Sequence, residues 1–235
     1  MKIRNQGDDR AELLIYDEIG ESFLGGIGAK EVAEQINQLT VKHLDVRINS
    51  PGGSAFEGLA IFNTLRRHPA RITVDIDGVA ASVASIIAMA GDEIRMADNA
   101  LMMIHDPFMF TGGDADQLRK DADRLDAVKE NLVNIYAGRT GRAAEAIGTM
   151  MAAETWFTAT EAKEGGFIDS ISGANQVAVK LDGARFANIP DFAKSRAALE
   201  GLNEPPGDTT RAERAERCRA RAAEIKVEME RRAAF

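Results

Sequence analysis

Residues 71–91 decide the fold: Arg71-Ile72-Thr73-Val74-Asp75-Ile76-Asp77-Gly78-Val79-Ala80-Ala81-Ser82-Val83-Ala84-Ser85-Ile86-Ile87-Ala88-Met89-Ala90-Gly91. Apolar and polar residues alternate over 71–77, which predicts a strand with one buried face. Gly78 interrupts the alternation, and the run of small apolar residues over 82–90 predicts a buried helix that ends at the last glycine. The stretch therefore indicates a strand, a glycine turn and a helix in immediate succession.

Ser82 opens the predicted helix directly after the strand. Backbone N–H groups in a first helical turn lack helical acceptors, so the amide of Val83 points toward the same space. A serine nucleophile and half of an oxyanion hole can be built from such a turn. A helix-capping role for Ser82 is the simpler interpretation of this stretch alone, because serine is a common N-cap residue.

Composition indicates a folded protein of 235 residues with a substantial core, since 45% of the residues are hydrophobic and 28% are charged. A net charge of -8 argues against nucleic acid or anionic membranes as partners. The single cysteine, Cys218, excludes an internal disulfide framework and favours a reducing cytoplasm. The N-terminus lacks the apolar segment of a signal peptide, and the longest apolar run is too short to cross a bilayer.

The strand, glycine turn and helix pattern also occurs just upstream. Residues 44–48 alternate as a second strand, Ser50-Pro51-Gly52-Gly53 ends it, and apolar positions over 56–65 predict a helix. Consecutive units of this kind predict an α/β fold with a largely parallel sheet. Active sites in such folds collect at the carboxyl ends of strands, where Gly53 and Ser82 are both expected.

His105 is the strongest candidate for a base, because it follows the apolar strand 100–104 on the same predicted edge. His43 and His68, the other two histidines, lie in polar or helix-end contexts that favour surface or capping roles. A carboxylate is needed to orient the imidazole. Spacing alone does not choose among the five candidates: Asp75, Asp77, Asp98, Asp106 and Glu154.

The longest predicted helix covers residues 114–136, with Gly138 as its stop and an apolar face that includes Leu118 and Leu125. After about residue 185 the apolar patterning weakens, and the last stretch is rich in alanine, arginine and glutamate. Two parts are therefore predicted: a domain at 1–185 and a charged, largely helical appendage at 186–235.

Four stretches together resemble the signature segments of the Clp protease proteolytic subunit (ClpP) family, in the family's order and with similar separations. They are Ile48-Asn49-Ser50-Pro51-Gly52-Gly53, Gly78-Val79-Ala80-Ala81-Ser82-Val83-Ala84, Met103-Ile104-His105-Asp106-Pro107, and the segment from Glu154 to Asp169. The resemblance covers roughly residues 11–172. It implies a ClpP/crotonase-like spiral of repeated β-β-α units with a protruding handle helix.

The resemblance also implies a serine endopeptidase and assigns roles residue by residue. Ser82 matches the family's nucleophile, His105 its base, and Gly53 and Val83 the two backbone donors of the oxyanion hole. Glu154 stands where the family has the aspartate of the triad, and the glutamate side chain is one methylene longer. No metal or organic cofactor is expected.

The family's handle helix joins stacked rings, so the resemblance predicts a homo-oligomeric chamber that cleaves protein or peptide substrates. The segment before the first strand is short for the family, and the charged C-terminal stretch extends beyond its usual end. Both features favour the head maturation proteases of phages and prophages over a housekeeping subunit. The further partner expected is an ATPase or a capsid protein.

Three other interpretations fit parts of the sequence. A crotonase-type acyl-CoA hydratase or isomerase would share the fold without requiring both Ser82 and His105. A Ser-Lys peptidase would place a lysine where His105 stands, and no lysine lies in a comparable apolar position. A catalytically decayed shell or scaffold protein is the non-enzymatic alternative, and the change to Glu154 leaves room for it.

Overall fold

A computed structural model describes residues 2–5, 7, 9–20, 26–174, 186, 188 and 189. The chain divides into two compact units, 1–197 and 198–235, and the second lies outside the described residues. The predicted boundary at residue 185 remains a prediction, and most of the predicted appendage also lies outside the described residues.

Eight strands and six helices occur in the described part of the chain. The strands are β1 (Lys2–Asn5), β2 (Arg10–Ile15), β3 (His43–Ser50), β4 (Arg71–Ala81), β5 (Glu93–Ala97), β6 (Leu101–Ile104), β7 (Thr155–Thr158) and β8 (Ser170–Ser172). The helices are α1 (Ala29–Asn37), α2 (Ala55–Arg67), α3 (Val83–Ala88), α4 (Ala115–Thr140), α5 (Ala144–Ala152) and α6 (Ala159–Glu164).

The strands form one sheet that is largely parallel, as the sequence predicted. β2, β3, β4, β5 and β8 run parallel in that spatial order, and β1 adds antiparallel to β2. Apolar residues at alternate positions of the parallel strands are buried against the helices; examples are Leu13, Val46, Val74 and Ile94. Burial of this alternating set fixes the register of the strands.

β4 is longer than the alternating run predicted, because it continues through Gly78 to Ala81. Its first half pairs with β5, and Val79 to Ala81 pair with β6 instead. A register shift between Ile48 and Ser50 of β3 accompanies the change of partner. The sheet therefore divides around β4, and the second half of β4 carries the chain to Ser82 alongside the end of β6.

α4 also extends beyond its predicted end. The helix passes through Gly138 and stops at Gly141, which has a left-handed φ of 70° and donates its N–H to Ala137 O. Gly138 is part of this helix, and no atoms lie within 4 Å of the position that a Cβ would occupy there. The apolar face is also shifted from the prediction: Leu118 is 46% exposed, while Asp121 is buried and accepts hydrogen bonds from Thr111, Gln117 and Arg124.

Candidate active site

Ser82 lies between β4 and α3 in a conformation that only glycine adopts readily. Its φ is 55° and its ψ is -133°, and such a backbone costs on the order of 1–3 kcal/mol in a residue with a side chain. Two hydrogen bonds hold it there, from Ser82 N–H to Met103 O at 3.0 Å and from Ser85 N–H to Ser82 O at 3.0 Å. Ser82 lies at the carboxyl end of β4, and its side chain is half-buried.

His105 follows β6 and faces Ser82. Ala81 of β4 pairs with Met103 of β6, so the two strand ends lie side by side. The Nε2 atom of His105 is 2.7 Å from Ser82 Oγ, within hydrogen-bond distance. If Nε2 accepts the hydroxyl proton, Nδ1 carries the ring's hydrogen and requires an acceptor of its own. A carboxylate near the other side of the ring is therefore the next group to locate.

Glu154 lies in the turn between α5 and β7, directly before the strand that flanks β6. β7 pairs antiparallel with β6 and places Thr155 opposite Ile104, so Glu154 lies close to the end of β6. Its φ of 50° is also in the left-handed region, and its N–H bonds to Met151 O at 3.0 Å. His105 and Glu154 line the same cavity of about 310 Å³. The structure thus brings all three residues of the predicted triad to one edge of the sheet.

The other four carboxylates considered from the sequence are either paired with a cationic side chain or exposed. Asp75 pairs with Arg95 at 2.8 Å, and Asp98 lies exposed in the turn before β6. Asp77 is buried and accepts hydrogen bonds from Arg47 and Tyr16. Burial of the Tyr16 hydroxyl raises its pKa to about 12, and the hydrogen bond to Asp77 contributes to the same shift. Asp106 lines the cavity beside His105, where its Oδ2 accepts from Lys129 Nζ at 2.7 Å.

The amides of Gly53 and Val83 lie next to the serine. Ile19 pairs with Gly53 through the groups that flank it, with Ile19 N–H bonded to Gly52 O and Ser54 N–H bonded to Ile19 O, each at 2.8 Å. Since these bonds use the neighbours of Gly53, its own N–H points to the opposite side. Val83 is the first residue of α3, where backbone N–H groups have no helical acceptor. Both residues line the larger cavity that contains Ser82.

That larger cavity has a volume of about 480 Å³ and is predominantly apolar. It extends from Ser82 and His105 between the loop before α2 and the side of α4. Its apolar lining consists of Ala55, Phe56, Val83, Ile86, Pro107, Phe108, Met109, Leu125, Val128 and Leu132. A polar reactive pair at one end of an apolar cavity is the usual arrangement of a site that binds an organic substrate.

Alanine at position 53 will lower the free energy of unfolding by roughly 3 kcal/mol or more, because its Cβ has no space. Gly53 has a φ of 152°, and a Cβ there would lie 1.9 Å from Ile19 O. Gly138→Ala is the matched control: no atoms lie within 4 Å of that Cβ, so the substitution should stabilise the helix by about 0.4–1 kcal/mol. Denaturant unfolding of both variants measures the difference, and equal stability would contradict the close approach of Ile19.

Some residues at this site carried no signal in the sequence. Ser85 is fully buried, and its Oγ lies 2.7 Å from Tyr136 Oη of α4, so this second serine supports the turn rather than facing the cavity. Phe186 and Asn188, in the stretch expected to begin the appendage, contact His105 and Glu154 respectively. Single residues in a weakly patterned stretch give no indication of such long-range contacts.

The other two histidines lie at the surface and at a helix end, as predicted. His43 is exposed at the start of β3, and His68 ends α2, where its ring lies 3.3 Å from Leu39 O and accepts from Ala70 N–H. Within the described ranges, no cluster of three or more His, Cys, Asp or Glu side chains could hold a metal ion. No described helix is long and apolar enough to cross a membrane.

Comparison with known proteins identifies the family. The chain is 32% identical over 151 residues to ATP-dependent Clp protease proteolytic subunit 3 of Streptomyces coelicolor, covering 62% of this chain and 70% of that one. It is 31% identical over 175 residues to subunit 2 of Corynebacterium glutamicum, covering 70% and 86%. A ClpP1 variant from Listeria monocytogenes has a similar fold, with a TM-score of 0.60 and 24% identity over 69% of this chain and 91% of that one.

These similarities confirm the predicted ClpP-like fold and the resemblance on which it was based. Clp protease is also the family whose sequence profile matches residues 10–175, most of the chain. The match contains the Ser82 turn, His105 and Glu154, and it ends before Phe186 and Asn188. The chain belongs to the Clp protease family.

Proposed function

We propose that the chain is a serine endopeptidase in which Ser82 is the nucleophile, His105 the general base and Glu154 the carboxylate that orients His105. The proposal rests above all on one observation: Ser82 Oγ lies 2.7 Å from His105 Nε2 at the end of an apolar cavity. Relatives named as Clp protease proteolytic subunits support the same chemistry.

In the proposed mechanism, Ser82 Oγ attacks the peptide carbonyl carbon while His105 Nε2 takes the hydroxyl proton. The tetrahedral oxyanion accepts hydrogen bonds from the amides of Gly53 and Val83. His105 then gives its proton to the leaving amine, and water releases the acyl group by the reverse steps. Glu154 keeps the imidazole in the required tautomer and stabilises the imidazolium that forms.

A fluorophosphonate probe tests this chemistry directly. Ser82 Oγ would displace fluoride to form an oxygen–phosphorus bond while His105 accepts the proton. We expect peptide mapping to locate the label on Ser82, and we expect pretreatment to stop cleavage of an unfolded protein and of peptides with a large apolar residue at the attacked carbonyl. A chain that hydrates or isomerises acyl-CoA thioesters without labelling, or that neither labels nor cleaves, would contradict the proposal.

Oligomeric assembly is part of the proposed function, because subunits of the Clp protease family form oligomers that act on proteins. We propose that copies of this chain form stacked rings around an inner chamber. The segment before α4 exposes large apolar side chains, with Phe108 55% and Phe110 97% exposed, and Leu118 on α4 is also accessible. A two-fold axis between rings would bury such a patch against the same patch of another copy.

Sedimentation velocity at micromolar concentration will show a ring-sized oligomer for the full chain, and Phe110→Asp will shift the distribution to smaller species. The reason is that a charge would replace an apolar side chain at the proposed contact. A chain truncated after Asn203 keeps the whole first compact unit, which ends at Ala197, and should assemble like the full chain. A monomeric full-length chain under these conditions would rule out the ring.

A further inference from the structure

Two of the three described residues beyond the family match, Phe186 and Asn188, contact members of the candidate triad, and the third is Ile189. The matched segment ends at residue 175, yet Phe186 and Ile189 are 5% and 6% exposed. Both pack in a small apolar cluster with residues of β4 and β6, the strands that lead to Ser82 and His105; its other buried members are Val79, Ala81, Leu101 and Met103. Phe186 and Ile189 therefore pack against the strands whose ends lead to Ser82 and His105.

Asn188 contacts the carboxylate of Glu154. The backbone N–H of Asn188 donates to Glu154 Oε1 at 2.7 Å, and its side-chain Nδ2 donates to Ala153 O at 3.1 Å. Trp156 Nε1 donates to the same Oε1 at a longer 3.4 Å. A carboxylate oxygen that accepts two N–H groups has a restricted position, and its partner oxygen can still accept from an imidazole. Asn188 therefore makes two hydrogen bonds to the turn before β7, one to the Glu154 side chain and one to the Ala153 backbone.

Phe186 fills the space between the imidazole and the indole. Its ring centroid lies 6.1 Å from that of His105 and 5.5 Å from that of Trp156, and both contacts are edge-to-face. Such packing restricts rotation of the histidine ring while Nε2 stays toward Ser82. Two nearby positions of the chain therefore contact two different members of the candidate triad.

We propose that Phe186 and the backbone N–H of Asn188 are positioning elements of the triad, with Asn188 acting through Glu154. The proposal rests on the serine peptidase function proposed above. It also accounts for the glutamate where the family resemblance implies an aspartate. The longer side chain has an additional rotatable bond, so its carboxylate needs an additional anchor, and the N–H of Asn188 supplies one from outside the family segment.

Asn188→Pro removes the backbone donor, while Asn188→Ala keeps it and removes only the bond to Ala153 O. In the full-length chain we expect the proline variant to lower kcat for peptide cleavage by about 10–100-fold with little change in KM, because a small displacement of a catalytic group has an effect of this size. The alanine variant should remain within about threefold of the unmodified chain, since the N–H to Glu154 is intact.

The second readout is coupling to Glu154. Rates of fluorophosphonate labelling remain measurable in slow variants, so they are compared for Asn188→Pro in the unmodified chain and in a Glu154→Ala background. If Asn188 acts through Glu154, the proline substitution will have no further effect once the carboxylate is gone. Phe186→Ala should lower labelling in both backgrounds, because it acts on His105, and Phe186→Leu should restore most of the rate.

The outcomes separate the two proposals. If Ser82→Ala abolishes cleavage while Asn188→Pro and Phe186→Ala cleave at the normal rate, the positioning role is wrong and the peptidase remains. The positioning role is also wrong if the proline variant loses labelling by an equal factor in both backgrounds, or if thermal unfolding shows that it is unfolded while Phe186→Ala is folded and fully active. Undiminished cleavage by Ser82→Ala would overturn both proposals.

Discussion

Ser82→Ala will lower kcat/KM for peptide cleavage by about 10⁴-fold or more, and His105→Ala will lower it by a similar factor. The two effects should not add in the double variant, because nucleophile and base act as one unit across the 2.7 Å contact between Ser82 Oγ and His105 Nε2. Both variants should fold and assemble as the unmodified chain does, since each side chain is only half-buried. Steady-state kinetics with one peptide substrate, together with sedimentation, measure both parts.

Ser85→Ala is the control for the nucleophile, because Ser85 lies three residues after Ser82, in the first turn of α3. Its hydroxyl is fully buried against Tyr136, and burial raises the pKa of that phenol. Removing the hydroxyl should cost about 1–3 kcal/mol of stability by leaving the Tyr136 hydroxyl without this partner. Cleavage should stay within about tenfold of normal, far from the loss expected at Ser82. Loss of cleavage in Ser85→Ala with activity retained in Ser82→Ala would reverse the assignment.

Glu154→Gln will lower kcat by roughly 10³–10⁴-fold with little effect on KM. The amide has the same shape but lacks the charge that stabilises the imidazolium, and it can present a donor where the ring needs an acceptor. Glu161→Gln is the matched control on α6. That carboxylate accepts from Thr158 N–H at 2.8 Å, which holds its pKa below the usual range, and the change should cost helix stability without affecting turnover.

A normal turnover number for Glu154→Gln would move the orienting role to another carboxylate. Asp106 would be the first to examine, since it lines the cavity that His105 and Glu154 share. Asp106→Asn, with loss of the ion pair to Lys129, would then show the larger effect. Measurement of both variants on the same peptide therefore decides between the two acidic residues.

The sequence predicts the Ser82 turn and the His105 strand end well, because local patterning and glycine positions determine both. It predicts the length of β4 poorly. Gly78 favours a break in the strand, but pairing with β3 on one side and β6 on the other keeps the chain extended to Ala81. Gly138 misleads for a related reason. In an exposed helix a glycine costs only about 1 kcal/mol, so the helix continues to Gly141, where the backbone turns left-handed.

The role of Glu154 and its hydrogen bond to Asn188 could not be predicted from residue spacing. Spacing leaves five carboxylates open, and the family resemblance selects one of them. The contact with Asn188 spans 34 residues, and neither residue stands in a pattern that pairs them. Long-range hydrogen bonds to a backbone N–H depend on the path of the chain rather than on residue type, so only the folded structure reveals them.

The backbone angles of Ser82 also bear on how such a protein would change over generations. Because glycine adopts a φ of 55° and a ψ of -133° without steric strain, Ser82→Gly should relieve roughly 1–3 kcal/mol of strain, less about 0.4–1 kcal/mol for the greater freedom of glycine in the unfolded chain, although it has no nucleophile. Selection for stability and selection for cleavage therefore oppose each other at this one codon. In a descendant kept only as a shell, replacement of Ser82 by glycine would no longer be opposed by selection for cleavage.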